Sequence, residues 1–249
     1  MKSYNHTHKP AAPPYGQVRC TIFISMKNLT LLVAMFLTTV VATAQVAIIQ
    51  DKDGYTNVRE KPNGQSQVIH KLYSNEVFWY EYEEGQDTNE WIPVFIPMNA
   101  FSFSSTQPDY IEGFIHKSRL QPLDKLQPYQ GTEFKFEYLL EPFKLNNRIV
   151  EKHEGKWVKT IAGRPVWGTD GNFPKTQVKG VNVIVEGKKV EINKPLYSDI
   201  YECTNTFKVY KNGDSYIMYQ WNSDGAGAYQ IVWIFTKEGL KQRLVGSMI

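Results

Sequence analysis

Two stretches decide the fold of the first half of the chain: Gly-Tyr-Thr-Asn-Val-Arg-Glu-Lys-Pro at residues 54–62 and Gly-Phe-Ile-His-Lys-Ser-Arg-Leu at residues 113–120. The first stretch begins at the last residue of the polar segment Asp51-Lys-Asp-Gly54, in which the glycine comes fourth. An EF-hand calcium loop needs glycine at its sixth position and glutamate at its twelfth. The segment therefore predicts a plain turn that delivers the chain into a strand at Tyr55.

Between these stretches the sequence has the spacing of short strands. Residues 67–72 alternate between apolar and polar side chains as a half-buried strand does, and residues 76–82 and 91–94 are further strand candidates. The aromatic share of the whole chain is 14%, and large flat side chains favour pleated, half-buried surfaces. The composition and the spacing together predict a mainly β protein.

Four motifs in this order resemble those of bacterial SH3 domains: Asn57-Val-Arg59, the Pro62-Asn-Gly64 loop, the strand that starts at Trp91, and Gly113-Phe-Ile-His116. The resemblance implies an SH3-like small barrel over residues 46–123. The sequence departs from the family at Glu60, where a small residue is usual, and by an extra loop over residues 97–108.

A small barrel fills its interior with alternate side chains, so the remaining aromatic residues of one face can form a groove for extended peptides. Trp91 and Phe114 also fit a core position, whereas Tyr55 and Trp79 are the better candidates for exposure. We interpret His116 as a structural strand residue. The candidate groove consists of Tyr55, Trp79, Trp91, Tyr110 and Phe114.

The segment before this domain has the order of a secretory signal peptide. Met26-Lys-Asn precedes an apolar run at residues 29–42, and Ala42-Thr-Ala44 is a small-residue cleavage site. A stable membrane-spanning helix needs about 20 apolar residues, so the run favours cleavage over anchoring. We expect residues 1–44 to be a leader with its true start at Met26, and the mature protein to be periplasmic or secreted without a stable membrane span. An uncleaved anchor with a cytoplasmic tail is the alternative.

The charge of the mature chain argues against nucleic acid as a partner. Residues 1–44 contain four of the 28 basic residues and no acid, so their removal leaves 24 basic and 25 acidic residues, a net charge of −1. No stripe of Lys and Arg that could follow a phosphate backbone is evident.

Residues 124–131, with Pro128 among them, predict a linker, and residues 132–249 predict an antiparallel β domain of unknown function. Hairpins are expected around Gly187 and around the pair Asn212-Gly213, which suits a two-residue turn. The near-continuous apolar run at residues 229–235 predicts a last strand that is buried on both faces.

Two loops of this second domain combine polar, Gly and aromatic residues, at residues 164–171 and 223–229. They resemble segments in uncharacterised β-rich domains of bacterial envelope proteins, a likeness that implies no activity. For the second loop we favour a plain turn without a binding role, and we expect that a site of this domain, if it has one, lies where these two loops face each other. The candidate site residues are Arg164, Trp167, Asp170, Ser223, Asp224 and Tyr229.

The sequence offers no pairing for nucleophilic catalysis. Cys203 is followed by no histidine, and the surrounding Glu202-Cys203-Thr204 differs from the Asp-Cys-Ser of the cell-wall peptidases that often carry SH3 domains. A lone cysteine of this kind is typically a small buried hydrophobe. We predict no catalytic residue, metal or cofactor, although Asp170 and Asp224 remain a conceivable carboxylate pair.

The expected function is that of an exported, non-enzymatic binding protein that recognises peptidoglycan peptide or an envelope protein. An inhibitor or immunity protein against a secreted hydrolase is the alternative, because small exported β domains also serve that role.

Overall fold

The computed structural model describes residues 45–81, 89–102, 110–223 and 227–247, which belong to one compact unit, Ala42–Ile249. The predicted mainly β fold with antiparallel sheets is confirmed. Helical structure in the described ranges includes the 3-10 turns Lys117–Arg119, Leu123–Lys125 and Lys194–Leu196. No helix there has the length and apolarity that crossing a bilayer requires. The predicted leader, residues 1–44, lies outside the described residues.

The first sheet contains seven strands in the order β3-β2-β6-β5-β4-β1-β7. Its edge strands β3 and β7 do not pair with each other, so neither this sheet nor any other in the described residues closes into a barrel. The strands are β1 Gln45–Ile49, β2 Tyr55–Arg59, β3 Val68–Tyr73, β4 Phe78–Tyr80, β5 Trp91–Pro97, β6 Tyr110–His116 and β7 Leu120–Pro122.

The inner face of this sheet forms one hydrophobic core. Buried side chains from β1 to β6 belong to a single cluster that includes Ala47, Val58, Leu72, Ile92 and Ile115. Neighbouring strands lie about 4.8 Å apart, so side chains from six strands of a flat sheet would not meet. The sheet is therefore strongly curled around this core although its edges stay unpaired.

A four-stranded sheet covers part of the outer face. It has the order β14-β15-β16-β17, with β14 Lys208–Asn212, β15 Ser215–Asn222, β16 Tyr229–Thr236 and β17 Gly239–Gly246. All eight residues of β16 are buried, which confirms the predicted burial on both faces. The prediction that this is the last strand is wrong, because β17 follows it.

The other face of the four-stranded sheet packs against a third sheet of β8 Phe134–Pro142, β12 Thr176–Val185 and β13 Lys188–Val190. The predicted hairpin at Gly187 is confirmed, with Glu186 and Gly187 at φ angles of +50° and +80°. The hairpin between β14 and β15 is also confirmed. Its turn residues are Gly213 and Asp214 rather than the predicted Asn212-Gly213, because Asn212 still pairs with Ser215.

A smaller sheet is formed by β9 Val150–His153, β10 Trp157–Ile161 and β11 Arg164–Pro165. Its short core contains Val158 and Ile161 packed on Tyr201. This leaves most of β9 exposed to solvent.

The predicted linker does not run free. The backbone N–H of Tyr129 donates to the Val209 carbonyl at 2.8 Å, and Pro128 forms a bridge with Tyr210. The first and second predicted domains also share a buried cluster, in which Val46 and Trp79 meet side chains of the four-stranded sheet. The division into domains at residues 124–131 stays a prediction.

Candidate binding cleft

The outer face of strands β2, β6 and β5 carries the polar and aromatic residues that the core excludes. On β2, Thr56 and Val58 are buried, whereas Tyr55 is exposed and Asn57 and Arg59 are half-buried. Side chains alternate between the two faces of a strand. The three residues of the sequence Tyr-x-Asn-x-Arg therefore point to one side, away from the core.

Strands β5 and β6 extend this face. Trp91 pairs with His116 across the two strands, and their rings meet edge to face with centroids 5.6 Å apart. Phe114 pairs with Arg59 of β2, so it shares their side of the sheet. Tyr110 lies further along β6, where its ring is 5.5 Å from that of Phe95.

Three of the five predicted groove aromatics, Tyr55, Trp91 and Phe114, thus lie on the open part of the outer face, whereas Tyr110 contacts Phe95, which packs against the cluster shared with the four-stranded sheet. Trp91 and Phe114 are half-buried there and take no part in the inner core. Trp79 differs, and its predicted exposure is wrong. Its side chain is 6% exposed because the four-stranded sheet covers it, and its Nε1–H donates to Gln230 Oε1 at 2.9 Å.

A cleft of about 260 Å³ opens on this face. Two of the predicted aromatics, Tyr55 and Trp91, belong to its lining, whereas Tyr110 and Phe114 do not. Groups of both charge signs join them. The basic groups are Arg59, His116 and Arg119, and the acidic groups are Asp51 and Asp53.

The two arginines of the cleft are held in place by the protein. Asp51 Oδ2 lies 3.0 Å from Arg119 Nη1, and the Asp51 side chain is only 6% exposed while that of Arg119 is 44% exposed. Arg59 Nη1 donates to the carbonyl of Ser66 at 2.6 Å. A guanidinium that is already oriented loses less conformational entropy when it binds a carboxylate. The arrangement favours an anionic group at this end of the cleft.

Asn57 supplies an acceptor that no described contact satisfies. Its Oδ1 atom is buried and has no hydrogen-bond partner, and Asn57 lies between Tyr55 and Arg59 in the cleft lining. Leaving a buried polar atom unpaired costs about 1–3 kcal/mol. A ligand N–H group could remove that cost only if the Asn57 side chain turned and brought the buried Oδ1 atom to the cleft surface, so a ligand with both donors and anionic groups would bind together with such a rotation.

Tyr55 forms the exposed wall of the cleft. Its side chain is 36% exposed, and Lys71 Nζ lies 4.4 Å from the centre of its ring. The ring of Tyr73 on the neighbouring strand is 6.4 Å away. These contacts hold the Tyr55 ring in position beside the cleft without covering it.

Three larger recesses lie elsewhere, the smallest of which has about 280 Å³ and is lined by Leu123, Tyr219 and Gln230. One of about 610 Å³ is lined by Lys188, Val190 and the turn before β17, and one of about 580 Å³ is lined by Glu76, Met98 and Gln242. None of the three is lined by a predicted candidate site residue. We favour the smaller cleft, because it brings together predicted aromatic rings, oriented guanidiniums and an unsatisfied acceptor.

Sequence reasoning named two residues of this cleft and missed the others. Period-two alternation along β2 was a sufficient signal for Asn57 and Arg59, since both share a face with Tyr55. No local signal indicated Arg119, which comes from the 3-10 turn after β6. Its position depends on the pairing with Asp51, nearly 70 residues away in the sequence.

The two predicted loops of the second half come together in space. The backbone N–H of Gly168 donates to the Gly227 carbonyl at 2.8 Å, and a Cβ atom on Gly227 would lie 2.8 Å from the backbone nitrogen of Thr169. Gly227 therefore has a steric reason to lack a side chain. Asp224, predicted as a site residue, lies outside the described residues.

The remaining residues of these loops have mixed surroundings. Tyr229 is fully buried, and its hydroxyl donates to the Tyr201 carbonyl. Trp167 packs against the core, and its Nε1 atom is buried without a partner. Asp170 and Ser223 are exposed. The loops thus form a packed contact in which Tyr229 serves as a core residue.

Arg164 has a structural partner. Its Nη1 donates to the Pro195 carbonyl at 2.7 Å and lies 3.5 Å from Asp199 Oδ2. Asp199 also accepts from the fully buried Arg243 at 2.6 Å. This buried network was not predicted, because its members lie far apart in the sequence and nothing local marks them as partners.

Comparison with known proteins adds no relative. No family model, curated protein or solved structure matches the chain. The resemblance to bacterial SH3 domains therefore stays a prediction.

The predicted burial of Cys203 is confirmed: the thiol is free and 4% exposed. Burial raises its pKa to about 12, so the thiol is protonated at neutral pH. Within the described ranges, no group of His, Cys, Asp and Glu side chains is arranged to hold a metal ion.

Proposed function

We propose that this chain is an exported binding protein without catalytic activity, and that its N-terminal sheet recognises cell-wall peptide or an envelope protein. The observation that carries the proposal is the cleft in which Tyr55 and Trp91 flank two oriented arginines and the unsatisfied Asn57 oxygen. Aromatic and arginine side chains dominate the energetics of recognition sites. The cleft lies on strands, which hold such side chains more rigidly than loops do.

The chemistry of the cleft suits a peptide of the cell wall. Such peptides carry free carboxylates, free amines and backbone amides, and the cleft offers Arg59 and Arg119, then Asp53, then the Asn57 oxygen for these groups. The resemblance to bacterial SH3 domains supports the same ligand class. The signal-peptide pattern at residues 26–44 supports export to the compartment where the ligand occurs.

The surroundings of Cys203 support a role without catalysis. A thiol with a pKa of about 12 does not supply the thiolate that nucleophilic attack needs.

Sedimentation with purified peptidoglycan tests the proposal. We expect the parent to co-sediment and Tyr55→Ala, Trp91→Ala and Arg59→Ala each to lower the bound fraction several-fold. Leu140→Ala is the matched control, because Leu140 is also 36% exposed but lies on the third sheet. Unfolding midpoints show whether each variant remains folded.

Two results would overturn the assignment. Failure of the parent to bind the wall would remove cell-wall peptide as the ligand, and equal binding by all variants would remove the cleft as the site. A stoichiometric complex with one envelope hydrolase, formed by a parent that ignores peptidoglycan, would instead establish the inhibitor alternative.

A further inference from the structure

Charge is distributed unevenly along the chain. Residues 143–179, which include the small sheet β9-β10-β11, contain eight Lys or Arg and three Asp or Glu. The rest of residues 45–249 contains 16 basic and 22 acidic residues. A near-neutral mature chain therefore has one distinctly basic region within an acidic remainder.

The hairpin of β9 and β10 carries part of this region into solvent, where Lys152 and Lys156 lie beside Glu151 and Glu154. All residues from 151 to 157 are exposed. His153 pairs with Trp157, so the turn consists of Glu154, Gly155 and Lys156, and its first two residues have φ angles of +51° and +67°. Lys152 and His153 precede the turn on β9, Lys156 is its last residue, and Trp157 is the first residue of β10.

Trp157 keeps an exposed indole at the end of this hairpin. Its side chain is 40% exposed, the ring of His153 stacks at 6.3 Å, and Lys156 Nζ lies 4.5 Å from the ring centre. An indole with an ammonium group beside it is suited to a surface that is both apolar and anionic.

A second exposed ring lies beside the hairpin. Phe173 is 41% exposed, and Lys152 Nζ lies 5.5 Å from its ring centre. The segment that leads to it contacts the first ring, because a Cβ atom on Gly171 would lie 2.6 Å from Trp157 Cδ1. Two aromatic rings and two lysines therefore lie within one continuous surface, which we call the basic tip: Lys152, His153, Lys156, Trp157 and Phe173.

We propose that the basic tip is a membrane-docking surface that binds bilayers containing anionic phospholipid. Exposed Trp residues are favoured at the interface between headgroups and acyl chains, and lysines close to the bilayer are attracted by anionic headgroups. The Trp157 ring lies on the exposed hairpin and the Phe173 ring lies beside it, outside the recesses described above, so both suit insertion into a fluid surface better than binding of a peptide in a groove. The acidic remainder of the chain is repelled by the same headgroups, which orients the protein with the tip toward the membrane.

This proposal does not depend on the binding cleft, since the two surfaces share no residue. It concerns peripheral attachment only and needs no membrane-spanning segment. The protein can therefore dock on a bilayer through one surface while the cleft on the first sheet stays accessible to its own ligand.

Co-sedimentation with vesicles tests the proposal. Vesicles of equal parts phosphatidylglycerol and phosphatidylcholine should bind the mature chain, and vesicles of phosphatidylcholine alone should bind it much more weakly. Replacing both lysines, in Lys152→Glu with Lys156→Glu, should lower the partition coefficient at least about tenfold, because each basic residue near an anionic surface contributes appreciably. Trp157→Ala with Phe173→Ala should lower it several-fold at unchanged charge.

The chain offers matched controls for both changes. Trp221 is 39% exposed but lies on β15, so Trp221→Ala removes an equally exposed indole elsewhere. Lys52→Glu with Lys208→Glu makes the same charge change at exposed positions outside the basic region. All four lysines are exposed, so these charge variants should fold like the parent, which thermal unfolding checks.

Three results would overturn the proposal. One is a parent that fails to bind anionic vesicles. Another is binding that the control variants reduce as much as the tip variants do, which would indicate unspecific charge attraction. The third is a basic tip that captures an acidic protein from the envelope while vesicles stay unbound, which would assign the surface to a protein partner.

Discussion

Trp79 and Trp91 lie on the same face of the same sheet, yet only one of them is available to a ligand. Trp79 is buried against the four-stranded sheet, and Trp91 is half-buried beside a cleft. Their neighbours differ in kind. Val46 and Val77 surround Trp79, whereas Arg59 and His116 surround Trp91. The side chains that surround an aromatic residue on a strand thus decide whether it packs in a core or can contact a ligand.

The largest expected effect on stability concerns Trp79, which lies at the end of this face that the four-stranded sheet covers. We call it the covered end, and we call the end with the cleft the open end. Trp79→Ala should lower the free energy of unfolding by about 3–5 kcal/mol, because it leaves a large cavity and deprives Gln230 of its donor. Urea unfolding measures this loss. If Trp79→Ala were as stable as Tyr55→Ala, the two ends of the face would not differ in the way that we describe.

A smaller effect is expected where the two sheets are joined by hydrogen bonds. Gln242 accepts from the Val77 N–H at 2.8 Å and donates to the Val77 carbonyl at 2.9 Å. Gln242→Leu leaves two buried backbone groups unpaired, so we expect a loss of about 2 kcal/mol or more. The control is the neighbouring exposed Lys241, whose replacement by Leu should change the unfolding free energy little; equal losses would contradict the role given to Gln242.

The sequence predicted where the strands lie better than it predicted which other strands pack against them. Period-two alternation and the continuous apolar run of β16 identified the first-sheet strands and the fully buried strand. Neither pattern indicated that the four-stranded sheet covers one part of the outer face of the first sheet and leaves the other part exposed to solvent. Alternation assigns Trp79 and Trp91 to a face but says nothing about what lies opposite, which depends on contacts more than 100 residues apart, such as Trp79 with Gln230.

The same limit applies to the candidate site. Tyr55 and Trp91 were identifiable as large aromatics on strands, and Arg59 was identifiable by its spacing from Tyr55. Arg119 was not, because its orientation depends on the buried carboxylate of Asp51. Tyr229 was predicted as a site residue and is buried, because a Gly-rich turn next to a tyrosine fits both a recognition loop and the entry to a buried strand.

The stability of the protein should also depend on alkaline pH through Tyr219, which packs against the cluster between the first sheet and the four-stranded sheet. Burial raises the pKa of Tyr219 from 10.0 to about 12, so the unfolded chain loses this proton at a lower pH than the folded chain does. The folded state consequently loses stability as pH rises from about 10 toward 12. Tyr219→Phe should lose less stability over that interval than the parent, measured by urea unfolding relative to each protein at pH 7; identical slopes would show that this hydroxyl is not protected.

The smallest effect on stability is expected at the open end. Tyr55→Ala should change the unfolding free energy by less than about 1 kcal/mol, since cross-strand aromatic contacts of this kind contribute about 0.2–1 kcal/mol. Thermal or urea unfolding checks this. A loss as large as that of Trp79→Ala would mean that Tyr55 is a packing residue and would remove it from the cleft.

The most direct test of the distinction between the two ends is nuclear magnetic resonance of the mature protein titrated with soluble peptidoglycan peptides, with the indole N–H signals of Trp79 and Trp91 observed separately. We predict that the Trp91 indole and the backbone signals of Tyr55, Asn57 and Arg59 shift in proportion to bound peptide, while the Trp79 indole, hydrogen-bonded to Gln230, keeps its position. Saturating peptide that leaves the Trp91 indole unmoved, or that shifts Trp79 instead, would contradict the assignment of the open end to recognition.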